Sequence, residues 1–199
     1  MTNTNTNSES LGRGARLVRW GIIFLIASWV SCFLTPMNHS EELKIIDLLW
    51  IPIYSIYLTT FFINWKWIKR LVLSAKLIEP TSIKYRIGWS FWGWITPIAG
   101  LWIPISLIRD SNHVFNRSNN YEFDFDLIRW WSCWITSWVI SWVAFFLWLF
   151  FDAESYWIPE FILNTISTWI LTIAFPIWQS IVFRVEQNHN AAITHYQAN

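Results

Sequence analysis

Charged residues are scarce in this chain of 199 residues, since Asp, Glu, Lys and Arg make up 14% of it, whereas they make up about a quarter of a soluble protein. The net charge is only +1 and no large basic cluster is present, which excludes nucleic acid as a partner. Cysteine is equally scarce. Cys32 and Cys133 are too few and too far apart for a disulfide framework or a zinc site. We expect both to be buried thiols that act as small packing residues.

The apolar parts of the chain contain no histidine, and no acidic or basic residue lies near the middle of any of them. The histidines are His39, His113, His189 and His195, and we expect each to be a solvated surface residue. The acidic and basic residues nearest to the apolar stretches, Asp47, Arg129 and Glu160, lie at segment ends, where they can reach lipid headgroups. These absences argue against a metalloenzyme, an intramembrane hydrolase and a proton-coupled transporter. We expect no enzymatic activity, no metal and no cofactor.

Five uncharged apolar stretches dominate the chain and hold most of its 18 tryptophans. They cover residues 20–34, 48–65, 88–108, 130–151 and 161–183. The last three contain no Asp, Glu, Lys or Arg over 21 to 23 residues, about the length that a helix needs to cross ~30 Å of hydrocarbon. The sequence therefore predicts an all-α, polytopic transmembrane helical bundle surrounded by the lipid bilayer.

Polar sequence flanks this transmembrane domain, which we place at residues 16–185. Residues 1–15 are predicted to be a disordered polar N-tail, and residues 186–199 a short polar C-tail. Basic residues precede the first apolar stretch and no good cleavage site follows it, so we expect an uncleaved signal anchor. The positive-inside rule then predicts a multi-pass protein of the cell membrane with a cytoplasmic N-terminus.

The third apolar stretch allows two topologies, because Pro97 and Pro104 flank Gly100 within it. If the third stretch is a kinked span, the chain has five spans, with nine basic residues on the cytoplasmic side and five outside. If it is a proline-broken, re-entrant or interfacial element, the chain has four spans, with thirteen basic residues on the cytoplasmic side and one outside. Charge favours four spans plus a broken third element.

The third stretch also resembles a known family. The run Trp-Ile-Thr-Pro-Ile-Ala-Gly-Leu-Trp-Ile-Pro at 94–104 is similar to the signature of the domain of unknown function 4328 family. The positions that match are Trp94, Pro97, Ile98, Ala99, Leu101, Trp102 and Pro104. An aromatic and basic run at 65–70 and the Trp130–Trp131 pair agree in order and spacing, so the resemblance covers residues 45–185. It implies an uncharacterised bacterial integral membrane protein and supplies no catalytic or binding residues.

The fourth stretch carries two stripes with a spacing of four residues. Trp130, Trp134, Trp138 and Trp142 form one of them. Cys133, Ser137 and Ser141 form a stripe of small residues beside it. Small residues let helices approach closely in lipid, so we predict a helix-packing surface. The alternative is an aromatic wall for a lipid, a quinone or another flat ligand.

The fifth stretch carries Asn164, Thr168 and Thr172, again four residues apart. Such residues usually bond to a carbonyl one turn back or to a neighbouring helix. The alternative is that they form a polar stripe that lines a pore.

Two segments between the apolar stretches are also patterned. Residues 66–86 hold six cationic residues against Glu79, so this segment is expected to lie on the anionic lipid headgroups of the cytoplasmic leaflet. Aromatic and acidic residues alternate at 121–126, which predicts a short extended piece or an interfacial lead-in.

Together these features predict a non-enzymatic integral membrane protein. The favoured role is a structural, assembly or regulatory component that acts through helix packing and a basic cytoplasmic face. The alternative is a small oligomeric channel or carrier for a neutral or small polar solute. The sequence leaves open whether the protein partner is a second copy of the chain or another membrane protein.

Overall fold

The computed structural model describes residues 3–34, 44–96, 99–116, 121–150 and 153–198, which are helical apart from short turns. The elements are α1 Asn3–Leu34, α2 Lys44–Ile78, α3 Trp89–Ile95, a 3-10 turn Ala99–Leu101, α4 Ile103–Asn116, α5 Tyr121–Phe150 and α6 Ala153–Ala198. The described ranges contain no strand. The predicted all-α fold is confirmed.

Four of these helices contain stretches that are long and apolar enough to cross a membrane. The stretches are Gly12–Leu34, Leu48–Ile78, Tyr121–Leu147 and Ile158–Ala198. Each reaches the ~20 residues that a span requires. They contain the first, second and fifth apolar stretches of the sequence and most of the fourth, so the described residues agree with the four-span form of the prediction.

The third apolar stretch is broken into α3, the 3-10 turn and α4, and none of these is as long as a span. Pro104 is the second residue of α4, where its missing N–H removes no helical hydrogen bond. A Cβ added at Gly93 would lie 2.9 Å from Ile103 Cγ2, and one at Gly100 would lie 3.2 Å from the Gly93 carbonyl oxygen. Close approach at two glycines therefore packs α3, the turn and α4 together, while Pro97 lies outside the described residues.

The helices continue beyond the predicted domain boundaries at both ends. α1 begins at Asn3, within the stretch 1–15 for which the sequence predicted a disordered tail. α6 continues to Ala198, within the stretch 186–199 for which the sequence predicted a short polar tail. Each residue added to an existing helix gains a hydrogen bond without a new nucleation step. Polar composition alone therefore does not mark where these helices end.

The alternating residues at 121–126 form the first turns of α5, so of the two predicted alternatives the extended piece was wrong. Glu122 and Asp124 lie in the first turn, where carboxylates complement the partial positive charge of the helix N-terminus. Phe123 is fully buried, whereas Tyr121 and Phe125 are exposed. One inward-facing aromatic residue between two outward-facing ones is compatible with a helix over so short a segment.

The chain folds into two compact units, and each of α1, α2, α5 and α6 contributes residues to both. Unit 1 comprises Met1–Arg19, Phe61–Arg129 and Ile177–Asn199, and unit 2 comprises Trp20–Thr60 and Trp130–Pro176. The core of unit 1 consists mainly of large apolar side chains. The fully buried ones include Ile68, Leu71, Val72, Leu107, Ile108, Phe123, Val182 and Val185.

Unit 2 instead buries many small and hydroxyl-bearing side chains and exposes large apolar ones. The buried set includes Ala27, Ser28, Cys32, Ser137, Ala144, Ser167, Thr168 and Ala174. The side chains that are more than half exposed include Ile26, Phe33, Ile51, Leu58, Phe150 and Ile173. Small residues inside and apolar residues outside are typical of helices packed in lipid, because such a surface would aggregate in water. The burial pattern of unit 2 agrees with a membrane protein.

Candidate functional site

Unit 2 contains a cavity of about 830 Å³ that is lined by residues of α1, α2, α5 and α6. The lining residues are Phe24, Ser28, Ser31 and Cys32 of α1, Trp50, Tyr54 and Tyr57 of α2, Trp134, Ser137, Trp138, Ser141, Ala144 and Phe145 of α5, and Glu160, Asn164, Ser167, Thr168 and Leu171 of α6. Sites for small organic molecules have volumes of roughly 300–1,000 Å³. The cavity is therefore large enough to hold such a molecule.

One face of α6 supplies the most polar wall of the cavity. Glu160, Asn164, Ser167 and Thr168 lie four, seven and eight residues apart when counted from Glu160. These spacings place the four side chains on the same side of a helix. This wall combines a carboxylate, an amide and two hydroxyl groups.

Small serine side chains join α5 to this face of α6. Ser137 Oγ lies 2.7 Å from Ser167 Oγ, and Ser141 Oγ lies 3.1 Å from it. The Ser167 hydroxyl also donates to the Ser137 carbonyl at 3.1 Å. Close approach through small residues is how helices pack in lipid. Trp134 and Trp138 of α5 line the cavity beside this contact.

Aromatic side chains of α2 form another wall. Trp50, Tyr54 and Tyr57 are four and three residues apart and so share one helix face. The ring centroids of Trp50 and Tyr54 are 5.9 Å apart, and those of Tyr54 and Tyr57 are 6.4 Å apart. The Tyr57 hydroxyl donates to Ser28 Oγ of α1 at 3.4 Å. This wall thus presents aromatic rings and is tied to α1 by a polar contact.

Polar contacts also join α1 to α6. Cys32 Sγ lies 3.2 Å from Thr168 Oγ1, and both residues line the cavity. Farther along α6, Trp29 Nε1 donates to Thr172 Oγ1 at 3.2 Å, and the Thr172 hydroxyl donates to the Thr168 carbonyl at 2.8 Å. Thr172 is therefore used in helix packing, whereas Thr168 both packs and faces the cavity.

The indole N–H of Trp50 is a buried donor with no hydrogen-bond partner among the described residues. A buried polar group usually has a partner, because leaving it without one costs ~1–3 kcal/mol. Trp50 also lines the cavity. Its indole nitrogen is itself buried, so other atoms of the ring form the cavity wall.

Charged side chains are rare in the described lining of the cavity. Glu160 is the only Asp or Glu among the described lining residues, and none of them is Lys, Arg or His. The serine hydroxyls therefore have no histidine or lysine base beside them within that set. No group of three or more His, Cys, Asp or Glu side chains in the described ranges is placed to hold a metal ion.

The residues singled out by the sequence are found in both units. Asn164, Thr168, Ser137 and Ser141 line the cavity, whereas Cys133 is half-buried and is not among its lining residues. The described positions of the family motif lie in unit 1 and do not line the cavity. These positions are Trp94, Ala99, Leu101, Trp102 and Pro104, and Pro97 and Ile98 lie outside the described residues.

Sequence reasoning missed Glu160 as a lining residue because it treated Glu160 as a segment end. The series Asn164, Thr168, Thr172 continues in the N-terminal direction to position 160 with the same spacing. Extending this four-residue spacing by one step would have identified the carboxylate of Glu160 as part of the series. Ser28 and Cys32 of α1 were missed although they are also four residues apart.

Unit 1 contains a second polar cluster, centred on the buried carboxylate of Glu186. Trp67 Nε1 donates to Glu186 Oε1 at 2.8 Å, and Arg70 approaches both carboxylate oxygens, at 3.4 and 3.3 Å. Arg70 Nη2 also lies 3.1 Å from His189 Nδ1, and His189 Nε2 lies 2.9 Å from Ser74 Oγ. The cluster thus links α2 to α6 through five side chains.

This cluster corrects the prediction that His189 is a solvated surface residue, since only 6% of it is exposed. The C-terminal part of α6 was predicted to be a polar tail, so its polar residues were assumed to face water. Trp67, Arg70 and Ser74 are three and four residues apart, and Glu186 and His189 are three apart. Polar residues at helical spacing on two helices were the signal for this contact.

Comparison with known proteins yields one family. A family described as a domain of unknown function, DUF4328, matches residues 38–185, well over half of the chain. This match confirms the resemblance found in the third apolar stretch. No curated protein and no solved structure shows significant similarity to the chain.

Proposed function

The chain belongs to the DUF4328 family, and we propose that it is a non-enzymatic membrane protein that binds a small molecule in the cavity of unit 2. The observation that carries this proposal is the cavity of about 830 Å³ with aromatic, hydroxyl and amide walls. Binding is the step shared by a carrier, a channel and a membrane sensor. The proposal therefore develops the alternative function that the sequence offered.

The hydrogen bonds around the cavity support binding rather than catalysis. Ser137, Ser141 and Ser167 bond to one another and to a backbone carbonyl, so their hydroxyl groups are held in place instead of activated. A fixed wall of polar and aromatic side chains favours recognition of a ligand.

The location that we propose is the cell membrane, with the N-terminus in the cytoplasm. Four helices long and apolar enough to span, together with large apolar side chains on the surface of unit 2, support a multi-pass protein. The orientation follows from the positive-inside rule, since four spans leave thirteen of the fourteen basic residues on the cytoplasmic side.

Filling the cavity tests the proposed function. Asn164→Trp would place an indole ring in the cavity, whereas Ile173→Trp, on the same helix at a side chain that is 67% exposed, is the matched control. Thermal unfolding of both variants and of the wild type in detergent is measured with a panel of cationic, neutral and anionic amphiphiles. A ligand at 100 times its Kd should stabilise the folded protein by about 2.7 kcal/mol.

We expect at least one compound to raise the Tm of the wild type and of Ile173→Trp but not that of Asn164→Trp. The proposal is contradicted if every shift survives in Asn164→Trp, because the compounds then bind outside the cavity. Flux of the same compound into liposomes, and its loss in Asn164→Leu, would separate a carrier or channel from a sensor.

A second candidate is the structural, assembly or regulatory role on a basic face, and exposed cations in unit 1 favour it. They include Arg16, Arg19, Lys66, Lys84 and Arg86. Anionic lipid headgroups would attract them by about 1 kcal/mol per residue. Phosphatidylglycerol should then raise the Tm more than phosphatidylcholine does, and Lys84→Glu with Arg86→Glu should reduce this difference. The oligomeric state measured in the same preparations identifies any second copy of the chain.

A further inference from the structure

We propose that the cavity of unit 2 binds an uncharged amphiphile that enters from the surrounding lipid. Such a molecule dissolves in the membrane and has an apolar body and a neutral hydrogen-bonding group. This inference rests on the proposed binding function and names the class of the ligand and its route. It is drawn from the depth of the cavity, its opening on an apolar surface and the amide of Asn164.

The cavity lies at the level of the membrane hydrocarbon. Ser28, Tyr54, Ser141 and Asn164 line it from four different helices. Each of them is six residues from one end of the apolar stretch of its helix, and in the four-span topology these ends lie on the same side of the membrane. At 1.5 Å per residue, six residues correspond to roughly 9 Å of depth. All four side chains are therefore attached well inside a hydrocarbon layer of ~30 Å.

The cavity opens on the apolar surface of unit 2. Tyr54 of α2 is 62% exposed and Phe145 of α5 is 47% exposed, and both residues line the cavity. Residues three or four apart share a helix face, and at these spacings both have exposed apolar neighbours. The neighbours are Ile51 and Leu58 on α2, and Trp142 and Leu149 on α5. The edge of the cavity is thus continuous with the lipid-facing surface, so a ligand can enter sideways from the hydrocarbon.

The amide of Asn164 determines the polar part of the ligand. Asn164 is half-buried, and no described residue forms a hydrogen bond with its side chain. An amide offers N–H donors and a carbonyl acceptor without carrying a charge. A polar group without a partner is costly in apolar surroundings. The cavity therefore fits a ligand with a neutral group, such as a hydroxyl or a carboxamide, that completes these hydrogen bonds.

The depth of Asn164 disfavours a charged ligand. A charged group is expensive to bring into hydrocarbon, so a molecule that enters from the lipid and reaches this level should be neutral. An anion would also find no cationic partner, because the described lining contains no Lys, Arg or His.

Aromatic side chains supply the surface that contacts the apolar body of the ligand. Phe24, Tyr57, Trp134 and Trp138 line the cavity from α1, α2 and α5. The ring centroids of Phe24 and Tyr57 are 5.1 Å apart. Lipid tails are as apolar as these side chains, so apolar contact alone does not distinguish a ligand from bulk lipid. The distinction comes from close packing against the rings and from the hydrogen bonds to Asn164.

Four probes of matched shape test the inference. The probes are 4-phenylbutanamide, the anion 4-phenylbutanoate, the cation 4-phenylbutanamidinium and the hydrocarbon (4-methylpentyl)benzene. Binding to the purified full chain in phosphatidylcholine nanodiscs at pH 7 is measured by competition with the radiolabelled amide and by thermal shift. Affinities are expressed per concentration in the bilayer, so that differences in partitioning cancel. Asn164→Leu is the test variant, and Gln179→Leu is the control, because Gln179 is an exposed amide of α6 outside the cavity lining.

We expect the wild type to bind the amide at least about fivefold more tightly than the hydrocarbon and than either ion. Asn164→Leu should remove most of the preference for the amide over the hydrocarbon, whereas Gln179→Leu should keep it. Oleamide, whose long chain holds it in the bilayer, should compete with the labelled amide. If Asn164→Leu does not fold, the ratios among the four probes in the wild type still decide the question.

The other outcomes separate this inference from the function on which it rests. Equal binding of amide and hydrocarbon, or tighter binding of either ion, overturns the inference but leaves a small-molecule site in place. A preference for the amide that survives in Asn164→Leu also overturns it, because the hydrogen-bonding group then lies elsewhere. Failure of oleamide to compete, while the short amide binds, overturns entry from the lipid. If neither these probes nor the wider panel bind in a manner sensitive to Asn164→Trp, both proposals fail.

Discussion

Removing the guanidinium of Arg70 should destabilise the protein more than neutralising the carboxylate that it contacts. The side chain of Glu186 is 2% exposed and that of Arg70 is 27% exposed, and their charged groups approach to 3.3 Å. In Arg70→Leu the carboxylate stays buried and keeps the Trp67 indole N–H, at 2.8 Å, as its remaining described donor. In Glu186→Gln the side-chain oxygen can still accept that hydrogen bond, and no buried charge is left without compensation.

The size of the expected loss of stability follows from the burial of the ion pair between Arg70 and Glu186. Removing one partner of a buried ion pair costs about 3–5 kcal/mol. Because solvent reaches more than a quarter of the Arg70 side chain, we expect the low end, about 3 kcal/mol. For a chain of this length, 1 kcal/mol shifts the Tm by about 2–4 °C. Arg70→Leu should therefore lower the Tm by about 6–12 °C, and Glu186→Gln, which weakens hydrogen bonds, by about 2–4 °C.

Thermal unfolding in detergent, followed by tryptophan fluorescence, measures these shifts. The double variant Arg70→Leu with Glu186→Gln should recover at least half of the loss in Arg70→Leu, because its buried site is neutral. Arg16→Leu, at an exposed cation of unit 1, is the control and should leave the Tm almost unchanged. A double variant no more stable than Arg70→Leu would refute the reasoning, as would an Arg70→Leu protein that unfolds within about 2 °C of the wild type.

Three further predictions concern packing and topology. Gly93→Ala brings a Cβ to 2.9 Å from Ile103 Cγ2 and should cost about 1–3 kcal/mol of stability. An unchanged Tm contradicts this, and the same change should cost less in an Ile103→Ala protein, which lacks Cγ2. Ser137→Leu should cost about 1–3 kcal/mol of stability, because it overpacks the contact with Ser167. Ser137→Ala should cost only about 0.6 kcal/mol. Equal Tm values for the two variants would argue against a close α5–α6 contact. Reporters fused to the two termini should lie on the same side of the membrane in the cytoplasm, and an external C-terminus would rule out four spans.

The four-residue spacing of polar residues in the sequence predicted parts of the candidate site, because residues four apart lie on the same face of a helix. The four-residue series in the fourth and fifth stretches contain cavity-lining residues, among them Ser137, Ser141, Asn164 and Thr168. The same reasoning failed where composition was used in place of spacing. Glu160 does lie at the start of a span, but its assignment to a segment end did not reveal that it lines the cavity. His189 was assigned to a polar tail, yet it is buried.

The sequence by itself determined that the chain is helical and has the composition of a membrane protein. A run of about 20 apolar residues must satisfy its backbone polar groups internally when it lies in lipid, and a helix does so without any distant partner. The break at the third stretch also agrees with local chemistry, because proline is tolerated in the first turn of a helix, where Pro104 lies, but not in a helix interior.

Only the tertiary structure decided which polar side chains meet. Cys32 and Thr168 are 136 residues apart in sequence, Trp67 and Glu186 are 119 apart, and Ser137 and Ser167 are 30 apart. Their contacts depend on how helices rotate and pack against one another, and spacing within a single helix carries no information about its partner. The cavity of unit 2 exists for the same reason, because its volume is the space left between four helices and is encoded in none of them separately.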